Sequence, residues 1–264
     1  MSLVIEREAP WALVTGASGG LGRQFCQLLA ARGYRLVITG RDTAKLGQLR
    51  EEIAECELAL AGDLTDPECL TNLIRHLKKQ NIEPEVLINN AGYGLYGESL
   101  DLPIQDQLNL IDLNIRVLTE LSLSMAQKMR EKKRGYILNV ASIAAFMPCP
   151  KLNTYGASKS YVLSFSEALH EELKDDGISV TTLCPGPVKT AFWLRAGLPD
   201  SSKFDFSMTE AREVAQRGLN ALFAYRAIAT YGVLNKLLVF SAQIAPRFIT
   251  RRIAKRVLDK AQKK

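Results

Sequence analysis

Seven short runs rich in β-branched and other apolar residues constrain this chain most: WALVT (11–15), RLVIT (35–39), ELALA (57–61), EVLIN (85–89), YILNVA (136–141), ISVTTLC (178–184) and AIATY (227–231). Segments with the period of a helix separate them. Apolar strands alternating with helices are joined by crossovers and form a parallel sheet covered on both faces. The pattern therefore predicts an α/β fold, a doubly wound, mostly parallel sheet of Rossmann type with helices on both faces. At 264 residues and 47% apolar, the chain has material for one such unit, and no repeat or low-complexity linker divides it. Two long helices are expected, over 105–133 and 153–175. A segment punctuated by Gly, Pro and Ser, about 190–208, reads as a mobile loop.

Cysteine and histidine usage excludes some functions. Cys26, Cys56, Cys69, Cys149 and Cys184 are odd in number, widely spaced and without a C-x-x-C, which argues against a disulfide framework and a zinc site alike. His76 and His170 lie in helix-like runs and are expected as solvated or helix-capping residues, with no metal bound. The N-terminus has neither a basic region followed by an apolar core nor a twenty-residue apolar span, so a cytoplasmic location is expected.

Charge is concentrated at one end. Residues 246–264 hold eight basic side chains and one acid, Asp259, while the whole chain is only +6, which leaves the body before them near neutral. In RFITRRIAKRVLDKAQKK, Ile249, Ile253, Val257 and Ala261 recur four apart, with Ala254 and Leu258 beside them and cations opposite. This predicts a basic amphipathic helix after a more apolar one in VLNKLLVFSAQIAP. Its uses stay open at this point: covering the sheet edge or a subunit interface, peripheral contact with an anionic membrane surface, or attraction of an acidic substrate carrier. No basic-aromatic pattern accompanies it, so nucleic acid is not an expected partner.

Two motifs carry chemistry. The first strand leads into TGASGGLG (15–22) and then a helix, where glycines let the backbone approach a phosphate held by the free N–H groups of the helix start. Further on, Tyr155 and Lys159 stand four apart in a helical stretch and share a face. An ammonium ~5 Å from a phenol at an effective dielectric of ~20 favours the phenolate by ~3 kcal/mol. Tyr155 is therefore expected below the ordinary tyrosine value of ~10, closer to neutrality, where a proton donor works best.

TGASGGLG, NNAG (89–92), Ser142 thirteen residues before Tyr155, the Y-x-x-x-K pair and PGPVKT (185–190) follow one another in the order found in the short-chain dehydrogenase/reductase family. The chain resembles that family from residue 10 to about 232. The resemblance implies a dinucleotide-binding catalytic domain over 1–232, including the substrate loop, with 233–264 as a helical basic extension of it. It implies that Tyr155 is the general acid, Lys159 its partner, Ser142 the residue that holds the carbonyl oxygen, and Asn114 a helical anchor for a water leading to the lysine. The cofactor would be held by Gly16, Ser18, Gly20, Leu21 and Gly22, by Asp63 and Leu64, by Asn90, Ala91 and Gly92, by Tyr155 and Lys159, and by Pro185, Gly186, Val188 and Thr190. Gly40 and Arg41 end the second strand without the acid that usually accepts a ribose 2′-hydroxyl, and a guanidinium suits a 2′-phosphate, so NADP(H) is expected over NAD(H). With Phe146, Met147, Phe192 and Trp193 near the expected pocket, the implied substrate is a hydrophobic ketone, a 3-oxoacyl thioester or a steroid-like ketone. The two long helices imply a homodimer or homotetramer. A non-catalytic NADPH-binding protein, regulatory or at a membrane surface, is the alternative.

Overall fold

The computed structural model of the chain describes residues 9–197 and 208–262, with the side chains of Val257 and residues 260–262 outside that description. The expected strands form in order: β1 (Trp11–Thr15), β2 (Arg35–Gly40), β3 (Cys56–Ala61), β4 (Pro84–Asn89), β5 (Gly135–Val140), β6 (Ile178–Leu183) and a short β7 (Ile228–Ala229). They make one parallel sheet in the order β3-β2-β1-β4-β5-β6-β7. The chain starts in the middle, builds outward to β3 and then returns to the other side of β1, so β1 and β4 bound the topological switch point. Ligands bind at that place in such sheets, outside the carboxyl ends of the strands.

Strand alternation explains how both faces are filled. Val14, Ile38, Ile88 and Leu138 point to one face, where they pack with Phe25 and Leu29 of α1 (Gly20–Ala30), Leu46 of α2 (Thr43–Glu52) and Leu219 of α8 (Ala211–Phe223). Their neighbours Leu13, Val37, Leu87 and Ile137 point to the other, onto α3 (Pro67–Lys79), α5 (Leu118–Lys132) and α6 (Asn153–Leu173). With a period of two along every central strand, each one is apolar on both sides and needs two helical layers.

A polar network locks the second layer in place. The Asn89 amide donates to Asn139 Oδ1 (2.8 Å) and Ser122 Oγ (2.9 Å), and the Asn139 amide donates to Ser166 Oγ (2.9 Å). These four side chains are buried and tie β4 and β5 to α5 and α6. Asn139→Ala leaves partners on both sides without a bond in a dry interior, where an unsatisfied group is costly. It is expected to lower unfolding free energy by about 2–4 kcal/mol, read from urea midpoints at constant slope; a loss under about 1 kcal/mol would show that the network is not needed.

Several expectations change. The first long helix is α4 (Ile104–Ile111), a π-helical turn (Asp112–Val117) and then α5. His170 is buried and its Nδ1 meets the Val180 carbonyl at 2.8 Å, so it is a packed residue between α6 and β6 and not a solvated one. The segment after Thr190 contains a short helix, α7 (Phe192–Arg195), before the described residues break off; the mobile loop expected there falls mostly on 198–207, outside them. The C-terminal stretch forms α9 (Val233–Ile244) and α10 (Arg247–Gln262). The α10 face turned to the body is Thr250, Ala254 and Leu258, whereas Ile249 and Ile253 of the expected apolar stripe are exposed and the Val257 side chain lies outside the description. That rotation brings Leu258 into an aromatic cluster and Asp259 within 2.8 Å of Lys151, contacts that a periodicity count cannot weigh.

Candidate active site

The loops that leave the carboxyl ends of β1 to β6 surround one cleft of about 530 Å3. Gly16, Ser18, Gly20, Leu21 and Gly22 line it after β1, Arg41 after β2, Asp63 and Leu64 after β3, and Asn90, Ala91 and Gly92 after β4. Ser142, Tyr155 and Lys159 join from the β5 side, with Pro185, Gly186, Val188 and Thr190 after β6 and Phe192 and Trp193 on α7.

The glycine loop is built for close approach. Gly16 sits at φ +62°, and a Cβ on it would stand 2.9 Å from Ala91 Cα; a Cβ on Gly22 would collide with the Gly16 carbonyl. A Cβ on Gly20 would come within 2.8 Å of Thr190 Cγ2, which shows how near the β6 loop lies. Gly19 caps α1 without a side-chain bond, so the first N–H groups of that helix keep their capacity for an anion. The neighbouring loop is sewn on: Thr15 Oγ1 accepts from the N–H groups of Asn90 and Ala91, both at 3.0 Å, and the Asn90 amide donates to the carbonyls of Thr15 and Gly16, again at 3.0 Å. Asn90 thus shapes the loop as well as lining the cleft. A cradle that no Cβ would fit, in front of a helix start, suits the pyrophosphate of a dinucleotide.

Tyr155 and Lys159 lie on one face of α6 as their spacing requires, both buried, with Lys159 Nζ 5.7 Å from the centre of the Tyr155 ring. Their protonation differs from the expectation. Burial pushes the Tyr155 phenol up to about 12, and a hydrogen bond with Ser142 draws it back only in part. Burial likewise lowers the Lys159 ammonium to about 8. Lys159 Nζ donates to the Val140 carbonyl at 2.8 Å and is not bonded to the phenol. Desolvation, a property of the packed site, outweighs the pair attraction that sequence spacing suggests.

Asn114 does not line the cleft but stands behind it, fully buried in the π-helical turn. Its amide donates to the Tyr93 carbonyl (3.1 Å) and Ser158 Oγ (3.0 Å), while its Oδ1 accepts from Tyr93 N–H (3.3 Å). A Cβ on Gly92 would meet Asn114 Oδ1 at 2.9 Å and Lys159 Nζ at 3.5 Å, so Gly92 keeps the space between these two groups open. Single π turns inside helices are common at functional sites, and nothing in local composition announces this one.

Phe146 and Met147 are absent from the described lining. Phe146 packs instead against the cluster of Leu118, Ala141 and Val162. Tyr93, Leu113, Lys45 and Arg195 line the cleft without having been expected there. Arg195 Nη2 stands 3.9 Å from where a Gly19 Cβ would be, over the glycine loop. The placement of α7 along the cleft carries it there, and a lone arginine in an irregular segment carries no signal for that. Arg41 lies 3.9 Å from Asp63, both well exposed, so these two expected cofactor residues are also neighbours of each other.

Comparison with known proteins points to one family. Residues 10–197 match the family model for short chain dehydrogenase. The very-long-chain 3-oxoacyl-CoA reductase of Anas platyrhynchos is 29% identical over 92% of this chain and 83% of its own length, and the 17-beta-hydroxysteroid dehydrogenase type 3 of Mus musculus is 28% identical over 92% and 81%. A solved short-chain dehydrogenase from Sphingobium yanoikuyae, in complex with NADPH, superposes with a TM-score of 0.76 at 29% identity, covering 95% of either chain. On the family match and on a cleft whose glycine cradle fits a dinucleotide, the chain belongs to the short chain dehydrogenase family and is an oxidoreductase that uses a nicotinamide dinucleotide cofactor.

Proposed function

We propose that the protein is an NADPH-dependent carbonyl reductase for a hydrophobic ketone, such as a 3-oxoacyl thioester or a steroid-like ketone, reversible to oxidation of the matching alcohol. The observation that carries this reading is the convergence of a protonated buried phenol, a serine hydroxyl and a buried ammonium beside the glycine cradle. When bound, the reduced nicotinamide supplies the hydride that reaches the carbonyl carbon. Ser142 holds the carbonyl oxygen. Tyr155 Oη hands its proton to that oxygen as negative charge develops there; an alkoxide is far more basic than a phenolate even at about 12, so the transfer runs downhill. Lys159, still charged at neutral pH, stabilises the phenolate left behind. Phe192 packs on Tyr155 at 5.5 Å between ring centres and on Trp193 at 5.4 Å, an apolar wall that favours a hydrophobic substrate and excludes water.

The test is NADPH oxidation against a panel of ketones and 3-oxoacyl thioesters. Turnover of any member supports the reading; binding of NADPH with no turnover across the panel supports a non-catalytic protein instead. A pH dependence follows from Lys159, which is charged below about 8 and neutral above it. The value of kcat/KM for the cofactor reports groups of the free enzyme, so it is expected to stay level at lower pH and to fall as pH rises through about 8. Initial rates across the range check this, and a level profile far into the alkaline region would remove Lys159 from that role. The exposed Leu123 of α5 and Tyr161 of α6 mark the surface where we place a second copy, giving a homodimer or homotetramer. Sedimentation velocity decides, and a monomer at micromolar concentration excludes it.

A further inference from the structure

The last two helices present outward what a core usually hides. Val233, Leu237, Phe240 and Ile244 follow the i, i+4, i+7, i+11 spacing of a single helix face, and they are 75, 57, 61 and 67% exposed. Phe248, Ile249 and Ile253 are exposed on α10 as well. Exposed apolar side chains gathered on adjacent helices mark a contact surface, whereas scattered ones do not.

The charges that accompany these residues on the same two helices say what kind of contact. Lys236, Arg247, Arg251, Arg252, Lys255 and Arg256 are all exposed, and none is paired with a carboxylate among the described residues. The sole acid from 233 onward, Asp259, is turned to the body, 2.8 Å from Lys151. The occupant must therefore be apolar in one layer and anionic in the next. A second copy fits poorly, because a two-fold interface sets the patch against itself and brings the six cations face to face. An acidic carrier protein would answer the cations and leave the apolar stripe of α9 in water. Among the described residues no helix is long and apolar enough to cross a membrane, which leaves contact from the surface.

We infer that the α9–α10 pair docks the protein on an anionic lipid surface, with the α9 stripe entering the headgroup boundary and the α10 cations meeting the headgroups. The other side of α10 packs on a cluster that shares residues with the reaction cleft: Leu258 joins Tyr155, Phe192 and Trp193 there, and Tyr96 Oη donates to the Leu258 carbonyl at 3.1 Å. If the reductase reading above holds, the docked face sets the substrate side of the cleft beside the lipid phase; the docking itself does not depend on that reading.

Full-length protein is sedimented with vesicles of phosphatidylcholine alone and of phosphatidylcholine mixed with phosphatidylglycerol. Binding to the mixed vesicles is expected to exceed the other by about ten-fold or more and to weaken as salt shortens the screening length below ~8 Å. Leu237→Asp with Phe240→Asp, and separately Arg251→Gln with Arg252→Gln, should each abolish most of that binding. Both pairs should leave circular dichroism and NADPH binding unchanged, which separates lost docking from lost folding. Equal binding to both vesicle types overturns the inference. So does full binding by either double variant, or loss of a dimer in lipid-free solution by the aspartate pair with vesicle binding retained. Binding of an acidic acyl carrier without any vesicle binding overturns it in favour of the carrier.

Discussion

Tyr155→Phe is expected to lower kcat for ketone reduction by about 10²–10⁴-fold while NADPH affinity stays within a few-fold. The ring is buried against Leu110, Leu152 and Phe192, and phenylalanine keeps all of that packing. What disappears is one hydroxyl, its bond with Ser142 and the proton it holds at neutral pH because burial has raised it to about 12. An interaction used only as charge develops on the substrate oxygen should appear in kcat and not in cofactor binding. NADPH oxidation gives the first quantity and fluorescence titration the second. Retention of more than about a tenth of the turnover, against the loss that removing a general acid brings, would move the proton donor elsewhere in the cleft.

Arg41→Ala is expected to reduce the proposed preference for NADPH over NADH by about ten-fold, near the low end of the ~1.5–3 kcal/mol for a charge-assisted contact. The low end applies because Arg41 is 65% exposed and already faces Asp63 at 3.9 Å, so solvent and a carboxylate both compete for its charge. Gly40 beside it adds no acid, and a Cβ there would meet Ser18 Oγ at 3.1 Å, so a carboxylate at that position would crowd the glycine loop. Lys45 lines the same part of the cleft, but its Nζ is 2.6 Å from Asp42. The ratio of kcat/KM values for the two cofactors measures the effect. An unchanged ratio in Arg41→Ala would shift the selectivity to Lys45 or Arg195.

What the sequence determined by itself is whatever short-range pattern controls. Runs such as RLVIT and EVLIN, apolar at three successive central positions, require two covered faces and so a parallel sheet, and the helix period between them supplies the covers. Glycines between a strand and a helix fix where the backbone opens for a ligand. A spacing of four places Tyr155 and Lys159 on one side of a helix wherever that helix packs. The tertiary structure decided what depends on burial and on partners far along the chain. The proton on Tyr155 and the lowered Lys159 arise from desolvation in the packed site, which no spacing encodes. The π turn seats Asn114 against Tyr93 and Ser158, both distant in sequence. Arg195 stands near the glycine loop because α7 is folded against the cleft that the loop also lines. In α10 the choice of inner face came from Leu258 and Asp259 finding Tyr96 and Lys151, although Ile249 and Ile253 are the more apolar pair. Periodicity measures how a helix is divided into faces, whereas the energy of a specific contact decides which face turns inward.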